Sequence, residues 1–102
     1  MTKFINYTPH QIVLNDGRIY LSMGVARVSN SFTPFSNDVC DVTYGDVTGL
    51  PTSVADTYYI VSAMVLAAAK VQGRTDCVAP ATGHPDCIRK DGFIVSVPGF
   101  VR

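Results

Sequence analysis

The segment Thr57–Gly73 constrains the fold more than any other part of the sequence. It begins with β-branched and aromatic residues and continues as an unbroken run of alanine, valine, leucine and methionine. A helix formed by this run would be apolar nearly all round, which is typical of a helix buried in a protein core. We therefore expect a buried strand over Thr57–Val61 and then a short core helix from Ala63 to about Gln72. A charge placed at Ala68 should then unfold the protein.

Local signals mark both ends of this helix. Ser62 is of a residue type that caps helix N-termini, because its hydroxyl oxygen can accept a hydrogen bond from a free backbone N–H. Gly73 is suited to the left-handed conformation that often ends a helix. A short strand is expected to follow within residues 74–79.

Two Asp-Gly pairs predict tight turns. Asp16-Gly17 separates apolar runs over residues 11–14 and 18–21, and Asp91-Gly92 separates residues 87–90 from 93–97. Such pairs suit hairpin turns, which need positive φ angles. Residues 25–29 and 39–44 alternate like strands, and residues 30–37 are expected to form a loop. We predict the α+β class: a bent antiparallel sheet or small partial β-barrel packed on one central short helix, in a single domain over residues 1–102.

Composition limits the partners and the compartment. Eight basic residues balance eight acidic ones, so the chain lacks the positive excess typical of nucleic-acid binding and nucleic acid is not expected as a partner. A near-zero net charge also removes repulsion between copies, which favours a homo-oligomer. No signal peptide or membrane span is predicted, and an odd number of cysteines, three, suits a reducing compartment. We expect a cytoplasmic protein with no membrane partner.

The first group of candidate site residues is Asn6-Tyr7-Thr8-Pro9-His10. Pro9 fixes its own φ and restricts Thr8, so polar groups here are held in place. His10 is one of two histidines and could hydrogen-bond a ligand or act in acid–base chemistry. The alternative is that these residues form a hydrogen-bonded cap on the first hairpin.

A second group consists of three arginines. Arg27, Arg74 and Arg89 could converge on a phosphate or carboxylate, because the planar guanidinium matches both groups bidentately. Alternatively, Arg74 interacts with the helix C-terminus, Asp76 pairs with a nearby arginine, and the rest are scattered surface charges.

Chemical signatures of catalysis or metal binding are weak. Cys77, His84 and Cys87, with Cys40 as a fourth ligand, could in principle bind zinc, but their spacing does not match the known paired patterns. We expect no metal and no cofactor. The sequence contains no phosphate-binding glycine loop and no Gly-x-Ser-x-Gly motif. A small hydrolase that uses His10 with an aspartate, Asp76 or Asp41, remains an alternative.

Short motifs spread along the chain indicate a family. They are Asn6, Thr8, Pro9 and His10; Ala26-Arg27-Val28; Gly49-Leu50-Pro51; Tyr59-Ile60-Val61-Ser62; Arg74 and Asp76; Arg89; and Gly92 with Ile94. In this pattern the chain resembles a family of small, largely uncharacterised proteins of bacteriophages and prophages. Tyr7 departs from the usual leucine, and the cysteines are not part of the pattern. The resemblance implies a phage setting and carries no established chemistry.

A phage setting leaves three functional hypotheses. The first is a viral anti-defence protein in the host cytoplasm that sequesters a small anionic ligand, such as a nucleotide immune signal, without catalysis. The second is a structural, virion-associated or host-protein-inhibiting interaction protein, and the third is the His-dependent hydrolase. For the first hypothesis, the expected ligand-binding residues are Asn6, Thr8, His10, Arg27, Ser62, Arg74, Asp76 and Arg89.

Overall fold

The computed structural model describes residues 2–102, which form ten strands and one helix. The strands are β1 (Lys3–Asn6), β2 (Ile12–Val13), β3 (Ile19–Tyr20), β4 (Arg27–Phe32), β5 (Val42–Thr48), β6 (Thr57–Ile60), β7 (Cys77–Pro80), β8 (Ile88–Lys90), β9 (Phe93–Ser96) and β10 (Phe100–Val101), and the helix α1 is Ala63–Val71. Across these residues, no helix is both long and apolar enough to cross a membrane.

The central sheet has the order β1-β6-β7-β10 and is mixed. β1 and β7 both run parallel to β6, and β10 is antiparallel to β7. The α+β class agrees with this mixture of strands and one helix, but the predicted antiparallel sheet is wrong for the centre. The reason is that α1 carries the chain back along β6, so that β7 begins at the same end of the sheet as β6.

The remaining strands form three separate antiparallel hairpins, β2–β3, β4–β5 and β8–β9. No closed barrel is formed within residues 2–102. Gly17 has a φ of 93° in the first predicted turn, and Asp91 and Gly92 have φ angles of 52° and 81° in the second. Both hairpins predicted from Asp-Gly pairs are therefore confirmed.

The central sheet separates two apolar layers. On one side Val61 and Ala79 pack against α1 and the base of the β4–β5 hairpin, and Tyr59 makes an edge-to-face contact with Tyr7. On the other side Ile60 and Val78 pack against the hairpins β2–β3 and β8–β9. Successive residues of a strand point to opposite faces, so the buried residues of β6 and β7 contribute to both layers.

Both predicted caps of α1 are confirmed. The Ser62 hydroxyl accepts a hydrogen bond from the N–H of Val65 at 3.3 Å. Gly73 adopts a φ of 87°, and the N–H of Arg74 donates to the carbonyl of Ala69 at 2.9 Å. The helix therefore ends where the sequence predicts.

The prediction that α1 is buried all round is wrong. Val65, Leu66 and Ala69 face the sheet and are buried, whereas Met64 and Val71 are 50% and 88% exposed. The sheet covers one side of α1 only, and the hairpin β4–β5 contacts only part of the rest. An apolar helix face consequently remains open to solvent.

The strands β4 and β5 replace the two predicted strands over residues 25–29 and 39–44, and they pair as a hairpin that the sequence did not predict. β4 continues to Phe32, inside the expected loop over residues 30–37, and the chain reverses at residues 36–39. Paired hydroxyl groups of Ser31 and Thr43, 2.8 Å apart, support this pairing across the strands. Asn30 and Ser31 are exposed polar residues of types that favour loops, so the sequence alone did not indicate that the strand continues through them.

Candidate functional site

The carboxyl ends of the three parallel strands meet at one edge of the sheet. Asn6 ends β1, Ser62 follows β6, and Thr82 follows β7. In open sheets with parallel strands, ligands bind outside the carboxyl ends of the strands. This edge is therefore the favoured location for a ligand site.

A cleft of about 540 Å³ lies at this edge, within the size range of small-molecule sites. We call it the carboxyl-end cleft. Its polar lining comes from hydroxyl, amide and imidazole side chains, and its apolar wall comes mainly from β2 and β9. The lining residues are Thr8, His10, Gln11, Ile12, Val13, Ser62, Ala63, Pro80, Thr82, Ile94, Val95, Ser96 and Val97.

Asn6 holds the loop that borders the cleft. Its side chain is 1% exposed, and its Nδ2 donates to the carbonyls of His10 and Tyr20 at 2.8 and 2.9 Å. Its Oδ1 accepts from the backbone N–H of Thr8 at 2.8 Å and from the Thr8 hydroxyl at 2.6 Å. The amide of Asn6 is fully used within the protein, so Asn6 positions Thr8 and His10 and does not itself face a ligand.

The N-terminus of α1 borders the same cleft through Ser62 and Ala63. The Ser62 hydroxyl binds the third N–H of the helix, that of Val65. The N–H groups of Ala63 and Met64 belong to the first turn, where a helix supplies no acceptors. They carry the partial positive charge of the helix N-terminus, which favours an anion nearby.

Arg27 lies in a smaller neighbouring cleft of about 310 Å³. Thr8 and Ser62 line both clefts and form the ridge between them. His10 and Arg27 are both exposed, one on each side of this ridge. No aspartate or glutamate lines either cleft, so the local side-chain charge is zero or positive.

Arg74 and Asp76 lie at the opposite edge of the sheet, before the start of β7. The guanidinium of Arg74 binds both carboxylate oxygens of Asp76 at 2.8 Å and donates to the carbonyl of Pro51 at 3.0 Å. This pairing lowers the pKa of Asp76, and a hydrogen bond from Ser53 acts in the same direction. The pair ties the loop before β6 to the start of β7, which is the structural alternative left open by the sequence.

Arg89 lines neither cleft. Its guanidinium donates to the carbonyl of Thr82 at 2.6 Å and so braces the loop that follows β7. The expected convergence of Arg27, Arg74 and Arg89 on one anion is therefore wrong. Of the expected site residues, the structure brings together Asn6, Thr8, His10 and Ser62, with Arg27 beside them.

Sequence reasoning missed the far wall of the cleft. Thr82 and Ser96 line it, and the buried Ser96 hydroxyl donates to Oδ1 of Asn15 at 2.6 Å. The strand–helix–strand pattern over residues 57–80 could have indicated Thr82, because it predicts a parallel pair whose carboxyl ends share an edge. Ser96 lies in the β8–β9 hairpin, and no local sequence pattern indicates where that hairpin packs on the central sheet.

The hydrolase and zinc alternatives gain no geometric support. Asp76 is engaged by Arg74 at the other edge, and Asp41 is exposed on the β4–β5 hairpin, so neither of the two expected aspartates lines the His10 cleft. The structure of residues 2–102 brings no three of the cysteine, histidine and acidic side chains close enough to hold a metal ion. Burial raises the pKa of the Cys77 thiol to about 11, so this thiol stays protonated at neutral pH.

Comparison with known proteins adds no relative: no family model, no curated protein and no solved structure matches the chain.

Proposed function

We propose that the protein is a homo-oligomer that binds a small anionic ligand in the carboxyl-end cleft and holds it without converting it. One observation carries this proposal: a helix N-terminus, His10 and several hydroxyl groups border a cleft of ligand size that no carboxylate lines. The phage setting implied by the sequence pattern adds a ligand class, the nucleotide immune signals of an infected host cell.

The cleft offers complementary surfaces for such a ligand. A phosphate would sit at the α1 N-terminus, near the N–H of Ala63 and the side chains of His10 and Thr82. The apolar wall formed by Ile12 and Val95 would cover a base or sugar face. Arg27, across the ridge, would contact a second phosphate that extends into the smaller cleft.

Sequestration also sets a requirement on affinity. Binding at nanomolar concentration needs about −12 kcal/mol of free energy. A handful of charge-assisted hydrogen bonds, each worth roughly 1.5–3 kcal/mol, is largely offset by the cost of immobilising the ligand. A single open cleft would therefore bind weakly, which is why the proposal includes an oligomer in which a second copy helps to enclose the ligand.

The test adds a negative charge to the cleft. We expect Thr82→Glu to reduce ligand retention at least tenfold, on the order of the loss of one charge-assisted contact, because the new carboxylate repels a phosphate. The protein is incubated with cyclic dinucleotides and, separately, with adenine dinucleotides, and the free nucleotide is measured after ultrafiltration. The bound nucleotide is then released by heating and should be intact.

Thr75→Glu is the matched control, because Thr75 is an exposed threonine near the opposite edge of the sheet. It adds the same charge and should retain ligand like the original chain. Equal loss in both variants, or no retention by the unmodified protein, would refute the proposal. A cleaved nucleotide after heating would favour a hydrolase.

A second candidate function is an interaction protein. It is favoured by the large apolar side chains on the surface, among them Phe32, Phe35, Met64, Val71 and Phe93, each at least 50% exposed. A surface of this kind is typical of a protein that docks on another chain.

A further inference from the structure

The outer side of α1 and one face of the β4–β5 hairpin form a continuous apolar surface. We call it the helix–hairpin face. Its central part is a groove of about 600 Å³ between Tyr44 and Gly45 on the hairpin and five residues of the helix. Its residues are Phe32, Val42, Tyr44, Met64, Ala67, Ala68 and Val71, none of which is charged.

Strand pairing places the hairpin residues on one side. Phe32 pairs with Val42, and Asn30 pairs with Tyr44. Residues paired directly across two strands point to the same face, as do residues two apart in one strand. The side chains of Phe32, Val42 and Tyr44 therefore share a face, and they are 64%, 40% and 52% exposed.

The base of this same hairpin face shows what can cover it. An irregularity between Val28 and Asn30 shifts the register of the pairing, but Val28 lies two residues from Asn30 in β4 and so points to the same face. Val28 pairs with Val47, and both pack against the core cluster that includes Val65 and Leu66 of α1. The base of this hairpin face is thus covered by the apolar helix α1, whereas its outer part, with Phe32, Val42 and Tyr44, is exposed. A second helix with an apolar side would extend the same packing.

The outer side of α1 supplies such a helix. Met64, Ala67 and Val71 lie on it at the spacing of successive turns, and none of the three is buried. The alanines allow another element to approach closely, while Met64 and Val71 project as apolar contacts. One copy of the chain thus carries both halves of a complementary pair.

The size of the molecule supports a second copy as the occupant. It exposes 6944 Å², whereas a compact monomer of 11.0 kDa exposes about 5,600 Å². The excess of about 1,300 Å² exceeds the roughly 800 Å² that each partner buries in a standard interface. The radius of gyration, 15.3 Å, also exceeds the about 13 Å expected for this length.

We infer that two copies pair around a two-fold axis, with the β4–β5 hairpin of each copy lying on the outer side of α1 of the other. This arrangement is self-complementary, because each copy supplies one hairpin and receives one. With a formal net charge of zero, the two copies do not repel each other. The inference rests on the homo-oligomer part of the proposed function and does not depend on the ligand.

The first test is Val71→Asp, at a helix position that is 88% exposed in a single copy. We expect the dissociation constant of the dimer, measured by sedimentation equilibrium, to rise at least about tenfold, as for the loss of a central interface contact. Val54→Asp is the matched control, since Val54 is 59% exposed and lies in the loop before β6. It should leave the dimer unchanged. A monomeric original chain, or equal effects of the two variants, would overturn the inference.

A second test locates the contact. A photo-reactive phenylalanine at position 32, in a mixture of isotopically labelled and unlabelled chains, should crosslink between copies to the peptide that contains Met64–Val71. Crosslinks confined to other peptides would overturn the arrangement. A monomer that still retains nucleotide would refute the proposed dimer but not ligand binding in the carboxyl-end cleft. A dimer that retains no nucleotide would refute ligand binding in that cleft but not the proposed dimer.

Discussion

At the scale of single residues, Asn6 illustrates how one buried amide organises a candidate site. Its four hydrogen bonds join the end of β1 to Thr8, His10 and Tyr20. No other residue type of the same size offers two donors and an acceptor in this plane. The polar N-terminal motif is therefore first a structural clamp, and it borders the cleft because the clamp holds Thr8 and His10 there.

We predict that Asn6→Asp destabilises the protein by about 3 kcal/mol or more, because the new oxygen faces two carbonyls and a charge is buried without a partner. Urea unfolding followed by circular dichroism measures the change. Asn37→Asp introduces the same charge at an exposed turn position and should change the unfolding free energy by less than about 1 kcal/mol. Similar effects at both positions would contradict the clamp.

The pair of Arg74 and Asp76 predicts a pH dependence. The pKa of Asp76 in the folded protein lies below the ordinary value for an aspartate. Asp76 therefore contributes stability that is complete above the pKa that this carboxyl has in the unfolded chain, about 4. That stability is lost as the pH falls through the folded pKa. Melting temperatures of the original chain should therefore drop more steeply below about pH 4 than those of Asp76→Asn, which has no carboxylate to protonate at this site. Parallel curves would refute the assignment.

At the scale of elements, α1 shows the limit of composition as a guide. Its caps were predictable, because Ser62 and Gly73 act through contacts within a few residues. Its burial was not, because an all-apolar helix can face a sheet on one side and a partner or solvent on the other. The sequence of α1 does not indicate which side of the helix is covered.

Two neighbouring alanines of α1 distinguish its buried side from its open side. Ala69 is 0% exposed and faces the sheet, whereas Ala68 lies in the open groove. We expect Ala69→Asp to unfold the protein, with a loss of about 3–5 kcal/mol for an unpaired buried charge. Ala68→Asp, which the sequence alone predicts to be disruptive, should stay folded with the circular dichroism spectrum of the original chain. Unfolding of both variants would mean that the outer side of α1 is enclosed within a single copy of the chain, which would contradict the open groove.

Sheet order shows a similar division between local and distant information. The Asp-Gly turns at residues 16–17 and 91–92 specify their hairpins locally, and both hairpins were predictable. β1 was missed, because Phe4 and Ile5 form only a short apolar pair and its partner β6 is distant in the chain. The carboxyl-end cleft depends on this parallel pairing, so the sequence could name several of its residues without placing them around one cavity.

At the scale of the whole molecule, extent and charge support the same conclusion. The molecule measures 48 × 38 × 20 Å, which is flat for a chain of this length. A flat shape leaves much apolar side-chain area on the outside, and no net charge opposes its burial against another copy. The proposed dimer would turn the exposed helix–hairpin face into a second core.

The parallel pairing of β1 with β6 also matters for how the protein is made. Lys3 is in register with Thr57, so β1 can pair with β6 only after the hairpins β2–β3 and β4–β5, which lie between them in the chain, have been synthesised. The three hairpins can form as soon as they emerge, whereas the central sheet must wait. During that interval Phe4 and Ile5 stay uncovered, and exposed apolar residues of this kind make an incompletely folded chain prone to aggregation.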